Sequence, residues 1–177
     1  MDLLAHRFHV LAPDLYGAGG SPQWPSDRII TLADEVALLE PVLSAPEHPA
    51  ALVGHSYGAC VCLLAALIRP SRVRALALYE PTLFSLLDGE TVRPNEADGI
   101  RDVVVAAATA LDDGQPGLAA ERFIDYWMGP GSWKSMPEPR KPPVAAAMSR
   151  FATKRSRTSA RISPWISCGT RPAANFA

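Results

Sequence analysis

Apolar and polar positions along this chain fall into short blocks of distinct period. Ala50-Ala51-Leu52-Val53 is a brief unbroken apolar run, which predicts a strand. Val73 to Tyr79 alternates and predicts a second strand. Phe8-His9-Val10-Leu11-Ala12 predicts another strand ahead of both, running into the turn-rich loop from Pro13 to Pro22. Thr31 to Leu43 has a helical period: Leu32, Val36, Leu39 and Leu43 share one face, and Thr31 with Asp34-Glu35 suits the start. Ala59 to Ile68 is almost wholly apolar, the pattern of a buried helix, and Arg69-Pro70 closes it. Strand, helix, strand, helix, strand predicts an α/β fold, a parallel sheet with helices packed on its faces.

The pattern changes after residue 82. Asn95 to Leu111 and Leu118 to Trp127 predict two helices, joined by Asp112-Asp113-Gly114-Gln115-Pro116-Gly117. Val103-Val104-Val105 is taken as the buried turn of the first. Residues 1–82 are then a core, and 83–136 a helical insertion over the sheet, a lid. Trp127, Trp133 and Met136 either line that lid and the apolar site beneath it or pack helix on helix. Pro137 to Pro143 carries four prolines and predicts a linker, and Val144 to Phe151 the start of a further helix. Beyond Phe151 no apolar period survives. Residues 137–177 are expected to be linker and a basic, poorly ordered tail.

Composition sets broad limits. The 177 residues are enough for one domain with a core. The formal charge of −1 hides an asymmetry. Residues 1–138 hold 9 Lys+Arg and all 18 Asp+Glu, while 139–177 hold 8 Lys+Arg and no acid. The basic run from Arg140 to Arg161 suits phosphates, but no aromatic interleaving accompanies it, so no nucleic-acid partner is expected. Three cysteines, Cys60, Cys62 and Cys168, form neither a disulfide framework nor a metal-binding pair, and reduced thiols are expected. The N-terminus has no basic, apolar leader pattern, and no run reaches the ~20 apolar residues that span a bilayer. A cytoplasmic protein without a membrane partner is the expectation.

Gly54-His55-Ser56-Tyr57-Gly58 stands between the first apolar strand and the apolar helix. Small-x-Ser-x-small in that context is the spacing of a nucleophile elbow. A strand that turns sharply into a helix forces the turn residue into a strained conformation, and flanking glycines leave room for it. The serine hydroxyl then stands clear of the sheet near the helix N-terminus, whose dipole favours negative charge.

With these residues in view, the chain resembles an α/β-hydrolase. Phe8 to Ser21 resembles that family's fourth strand and its D-x-x-G-x-G-x-S loop. Residues 54–58 resemble its elbow, and Val73 to Phe84 its sixth strand. The resemblance covers residues ~6 to ~148 and implies a partial α/β-hydrolase fold. A serine at position 56 is similar to the esterase, lipase, carbon-carbon-bond hydrolase and haloperoxidase-like branches. It implies a serine hydrolase acting on an ester or related carbonyl compound, a small-molecule substrate, with no cofactor or metal.

The resemblance also implies roles. Ser56 is the nucleophile, and the Tyr57 N–H is an oxyanion donor. Glu80, directly after the Val73–Tyr79 strand, is the candidate acid; a carboxylate that caps a loop or lines the pocket is the other role open to it. The base is missing. His6, His9, His48 and His55 all precede Ser56, whereas the family order is Ser, acid, His. No acid follows Glu138. The family's His-Gly loop, source of a second oxyanion donor, would lie ahead of residue 1. These absences, with a tail that reads like a shifted frame or a foreign end, predict a truncated gene product. A catalytically inactive hydrolase fragment is the alternative function.

Overall fold

In a computed structural model of the chain, residues 2–25, 28, 30–84, 86 and 97–148 are described. The basic tail, Cys168 and the end of the helix expected over 144–151 lie outside them. Two compact units divide the chain, one of residues 1–25 and 30–82, the other of residues 26–29 and 83–177.

The first unit opens with a short helix, α1 (Asp2–Ala5), followed by irregular backbone. The strand expected over residues 8–12 does not form. A strand is stabilised by its ladder, and among the described residues these five have no ladder to join. Helix α2 (Leu32–Ser44) begins at a capping box. Thr31 Oγ1 accepts the Asp34 N–H at 3.3 Å, and the Asp34 carboxylate accepts the Thr31 N–H at 2.8 Å. Strand β1 (Ala50–His55), helix α3 (Tyr57–Ile68) and strand β2 (Val73–Tyr79) follow. The two strands pair in parallel, with Ala51 opposite Ala75 and His55 opposite Tyr79. Such a pair needs a crossover, and α3 is that crossover.

Helix α3 packs on both strands and on α2. Ala59, Cys60, Val61 and Ala65 of α3 and Leu32, Val36 and Leu43 of α2 are buried there. The predicted apolar stripe of α2 is therefore the face that supplies the core. A parallel sheet flanked by helices is the observed architecture of this unit.

The second unit is helical. Helix α4 (Asp98–Asp112) and helix α5 (Pro116–Met128) pack through Ala107, Ala110, Ala119 and Ala120, with Met148 against them. Small side chains let the two backbones approach closely. Of the valine run inside α4, Val104 is buried and Val105 is 51% exposed, so only part of that turn faces the core. Trp127 stacks with Phe84, Phe123 and Tyr126 yet stays 47% exposed. A one-turn helix, α6 (Ser132–Ser135), leads to a 3₁₀ turn at Glu138–Arg140 and then α7 (Lys141–Ala147). The expected proline linker is thus structured. Pro142 and Pro143 sit in the first turn of α7, where their missing N–H groups would find no helical partner in any case.

Candidate active site

The site is built at the C-terminal ends of the two strands. Ser56 follows β1 directly and is the N-cap of α3, with φ 53° and ψ −123°. Its N–H donates to the Tyr79 carbonyl at 3.0 Å, which extends the strand ladder onto the turn. Its carbonyl accepts the N–H groups of Ala59 at 3.1 Å and Cys60 at 3.4 Å, which starts the helix. The residue is therefore fixed from both sides in a backbone conformation that L-residues rarely adopt. Its hydroxyl does not cap the helix.

The glycines on either side differ. A Cβ on Gly54 would stand 2.6 Å from the Ala59 Cα and the Gly58 carbonyl oxygen, both backbone atoms that cannot move aside. At Gly58 a Cβ would meet nothing within 4 Å. Only the first glycine is sterically required by the turn.

Glu80 follows β2 as Ser56 follows β1, and its φ is 47°. Ser56 and Glu80 are the two non-glycine residues with positive φ among the described ones. Register brings Glu80 beside His55: Nε2 and Oε2 lie 3.8 Å apart, with both side chains about two-thirds exposed (66% and 70%). The His55 ring also tilts over Tyr79, with centroids 5.2 Å apart. So the imidazole that faces Glu80 is the one preceding the serine in sequence. His6, His9 and His48 are exposed.

Tyr57 opens α3 with its side chain half-buried. Burial pushes its phenol well above the ordinary tyrosine range, and the Glu35 charge adds to the effect. Glu35 itself is only 3% exposed. Its Oε2 accepts the Tyr16 N–H at 3.1 Å and so ties the loop from Asp14 to Pro22 onto α2. That loop is closed on itself. Gly20 N–H donates to the Asp14 carboxylate at 2.9 Å, Ser21 Oγ donates to the Asp14 carbonyl at 2.7 Å, and Gly17 N–H donates to the Pro22 carbonyl at 2.8 Å. Glu35 did not stand out in sequence as more than a first-turn acid. Its position was a signal, because it lies on the stripe of Leu32, Val36 and Leu39.

Beneath the elbow, Cys60 is buried, with its Sγ 3.5 Å from the Ser56 carbonyl and 3.6 Å from Thr82 Oγ1. Cys62 is half-buried, and burial raises its thiol pKa. Neither cysteine is in a disulfide. Among the described residues no three His, Cys, Asp or Glu side chains gather as a metal site, and no helix is long and apolar enough to cross a membrane.

Against this geometry, two similarities were found. The profile of the α/β-hydrolase fold family matches residues 1–123. Lipase LipV of Mycobacterium tuberculosis is 34% identical over 127 residues, 70% of this chain. The chain spans 44% of that lipase's length. No solved structure matches.

Proposed function

Since the chain belongs to the α/β-hydrolase family, we propose that it carries the nucleophile portion of a serine hydrolase acting on an ester or related carbonyl substrate. The observation that supports this most directly is the Ser56 backbone. Strain of about 1–3 kcal/mol persists in a fold only where the surroundings impose it, and such residues concentrate at functional sites. Here the strain falls on the serine at the strand-to-helix turn.

In this reading Ser56 Oγ attacks the substrate carbonyl carbon and its proton passes to an imidazole base, a group that no histidine after Ser56 supplies among these 177 residues. The Tyr57 N–H, at the N-terminus of α3, donates to the oxyanion that forms. Glu80 serves as the acid that orients the base. Likeness to a lipase supports an ester among the carbonyl substrates. A small-molecule substrate, a cytoplasmic location and a lid role for residues 83–136 belong to the same proposal.

A second reading, a hydrolase portion without turnover of its own, is favoured by one observation. All four histidines precede Ser56, and the one beside Glu80 is the serine's own neighbour in sequence. A fluorophosphonate probe distinguishes the two. Labelling that disappears in Ser56→Ala supports an activated nucleophile. Failure of the 177-residue chain to label at all favours the second reading. Labelling that survives in Ser56→Ala overturns the assignment of Ser56.

A further inference from the structure

A carboxylate in a protein interior needs strong partners, because its charge loses water on burial. Glu35 is 3% exposed, and its Oε2 accepts the Tyr16 N–H across 19 residues of sequence. The anion therefore carries a hydrogen bond of the charge-assisted kind, stronger than a neutral one. The loop it grips is held by its own contacts at Asp14, Gly17, Gly20 and Ser21. A Cβ on Gly19 would overlap the Asp14 carboxylate, so glycine there leaves that carboxylate its place against the Gly20 N–H. What remains to be fixed is its place relative to the elbow. Helix α2, which carries Glu35, packs on α3, which Tyr57 opens. The Glu35 charge is close enough to the Tyr57 phenol to raise its pKa.

We propose that Glu35 is a positioning residue: through the Tyr16 N–H it ties the Asp14–Pro22 loop to α2, which packs on α3, and so sets the surroundings of the Ser56–Tyr57 turn. The inference rests on Ser56 being the nucleophile. Its effect is carried by Tyr16 and by the packing of α2 on α3.

Hydrogen exchange on the 177-residue chain tests the clamp. In Glu35→Ala the amides of residues 15–21 should exchange at least tenfold faster, with the amides of β1 and the Ser56 N–H unchanged. Glu35→Gln keeps an acceptor of similar shape without the charge, so the same amides should accelerate selectively but less. This variant decides the matter if the alanine protein does not fold. Unchanged loop exchange in Glu35→Gln, or an equal rise throughout the chain, overturns the proposal. Fluorophosphonate labelling supplies the functional arm: Glu35→Gln should slow the maximal labelling rate several-fold at unchanged probe affinity. A labelled wild type indifferent to Glu35→Gln overturns the role of Glu35 alone. An unlabelled wild type means that the serine is not activated in this chain, as in the second reading above, and overturns a role of Glu35 in its reactivity.

Discussion

The Ser56 N–H meets the Tyr79 carbonyl at 3.0 Å, so the parallel ladder ends on the two residues that precede or form the strained turns. One hydrogen bond thereby joins the C-terminal end of β2 to the residue at the strand-to-helix turn. The turn cannot relax without breaking that rung, and Gly54 packs so directly on the backbone of Gly58 and Ala59 that no side chain fits there.

The two elbow glycines should therefore respond oppositely to alanine. Gly54→Ala forces a Cβ into backbone and is expected to cost about 1–3 kcal/mol, the usual range for overpacking. Gly58→Ala places its methyl in open space within α3, where the helix gains about 0.4–1 kcal/mol from the stiffer unfolded chain. Urea titrations followed by circular dichroism compare the two. Equal losses at both positions would mean the turn is not built as described.

Strain at Ser56 predicts a ranking at one position. Ser56→Ala keeps a Cβ at φ 53° and leaves the strain in place. Ser56→Gly removes it, at the expense of a more flexible unfolded chain. The glycine variant should exceed the alanine variant in stability by about 0.5–2 kcal/mol. If alanine proves the more stable of the two, the backbone at Ser56 is not under strain.

Much of this was legible in the sequence, and the misses have physical causes. Strands β1 and β2 and helix α3 were legible because short apolar runs bounded by Pro, Gly or charged residues leave few alternatives. Helix α2 was legible from its capping residues and apolar face. The Phe8–Ala12 strand was not decidable that way, since strand propensity is local whereas a strand exists only with a partner. Prolines at 142 and 143 looked like linker because their helix-breaking effect is familiar, yet the first turn tolerates them. The serine's role as the turn residue followed from spacing. The approach of His55 to Glu80 did not, because it depends on the β1–β2 register, in which His55 pairs with Tyr79.

The second unit offers a prediction in acid. Asp125 of α5 accepts the N–H groups of Trp133 at 2.8 Å and Gly131 at 2.9 Å, and these bonds hold its carboxyl below the usual aspartate range. A depressed folded-state pKa stabilises above the unfolded value, near ~4, and that contribution is lost as pH falls through the lower folded value. Asp125→Asn should lower the melting temperature at neutral pH. The gap to wild type should close progressively below about pH 4. A gap that stays constant down to the acid limit would detach the Gly129–Trp133 turn from the Asp125 charge.

Glu80 should be nearly silent in stability despite its contact with His55. With about two-thirds of each side chain in water, at 66% for His55 and 70% for Glu80, the 3.8 Å contact is heavily screened. Pairs of this kind contribute about 0–1 kcal/mol, and less in salt. Glu80→Gln is expected to shift stability by less than about 0.5 kcal/mol. The backbone argues further. A non-glycine residue at φ 47° pays for a left-handed conformation, so Glu80→Gly should stabilise rather than weaken the fold, by up to about 1 kcal/mol. Both outcomes together would mean that the Glu80 carboxylate is not needed for stability, which suits the acid role proposed for it. Denaturation of the glutamine and glycine variants checks this. A loss above 1 kcal/mol in Glu80→Gln would make Glu80 a structural residue and remove the argument for it as the acid.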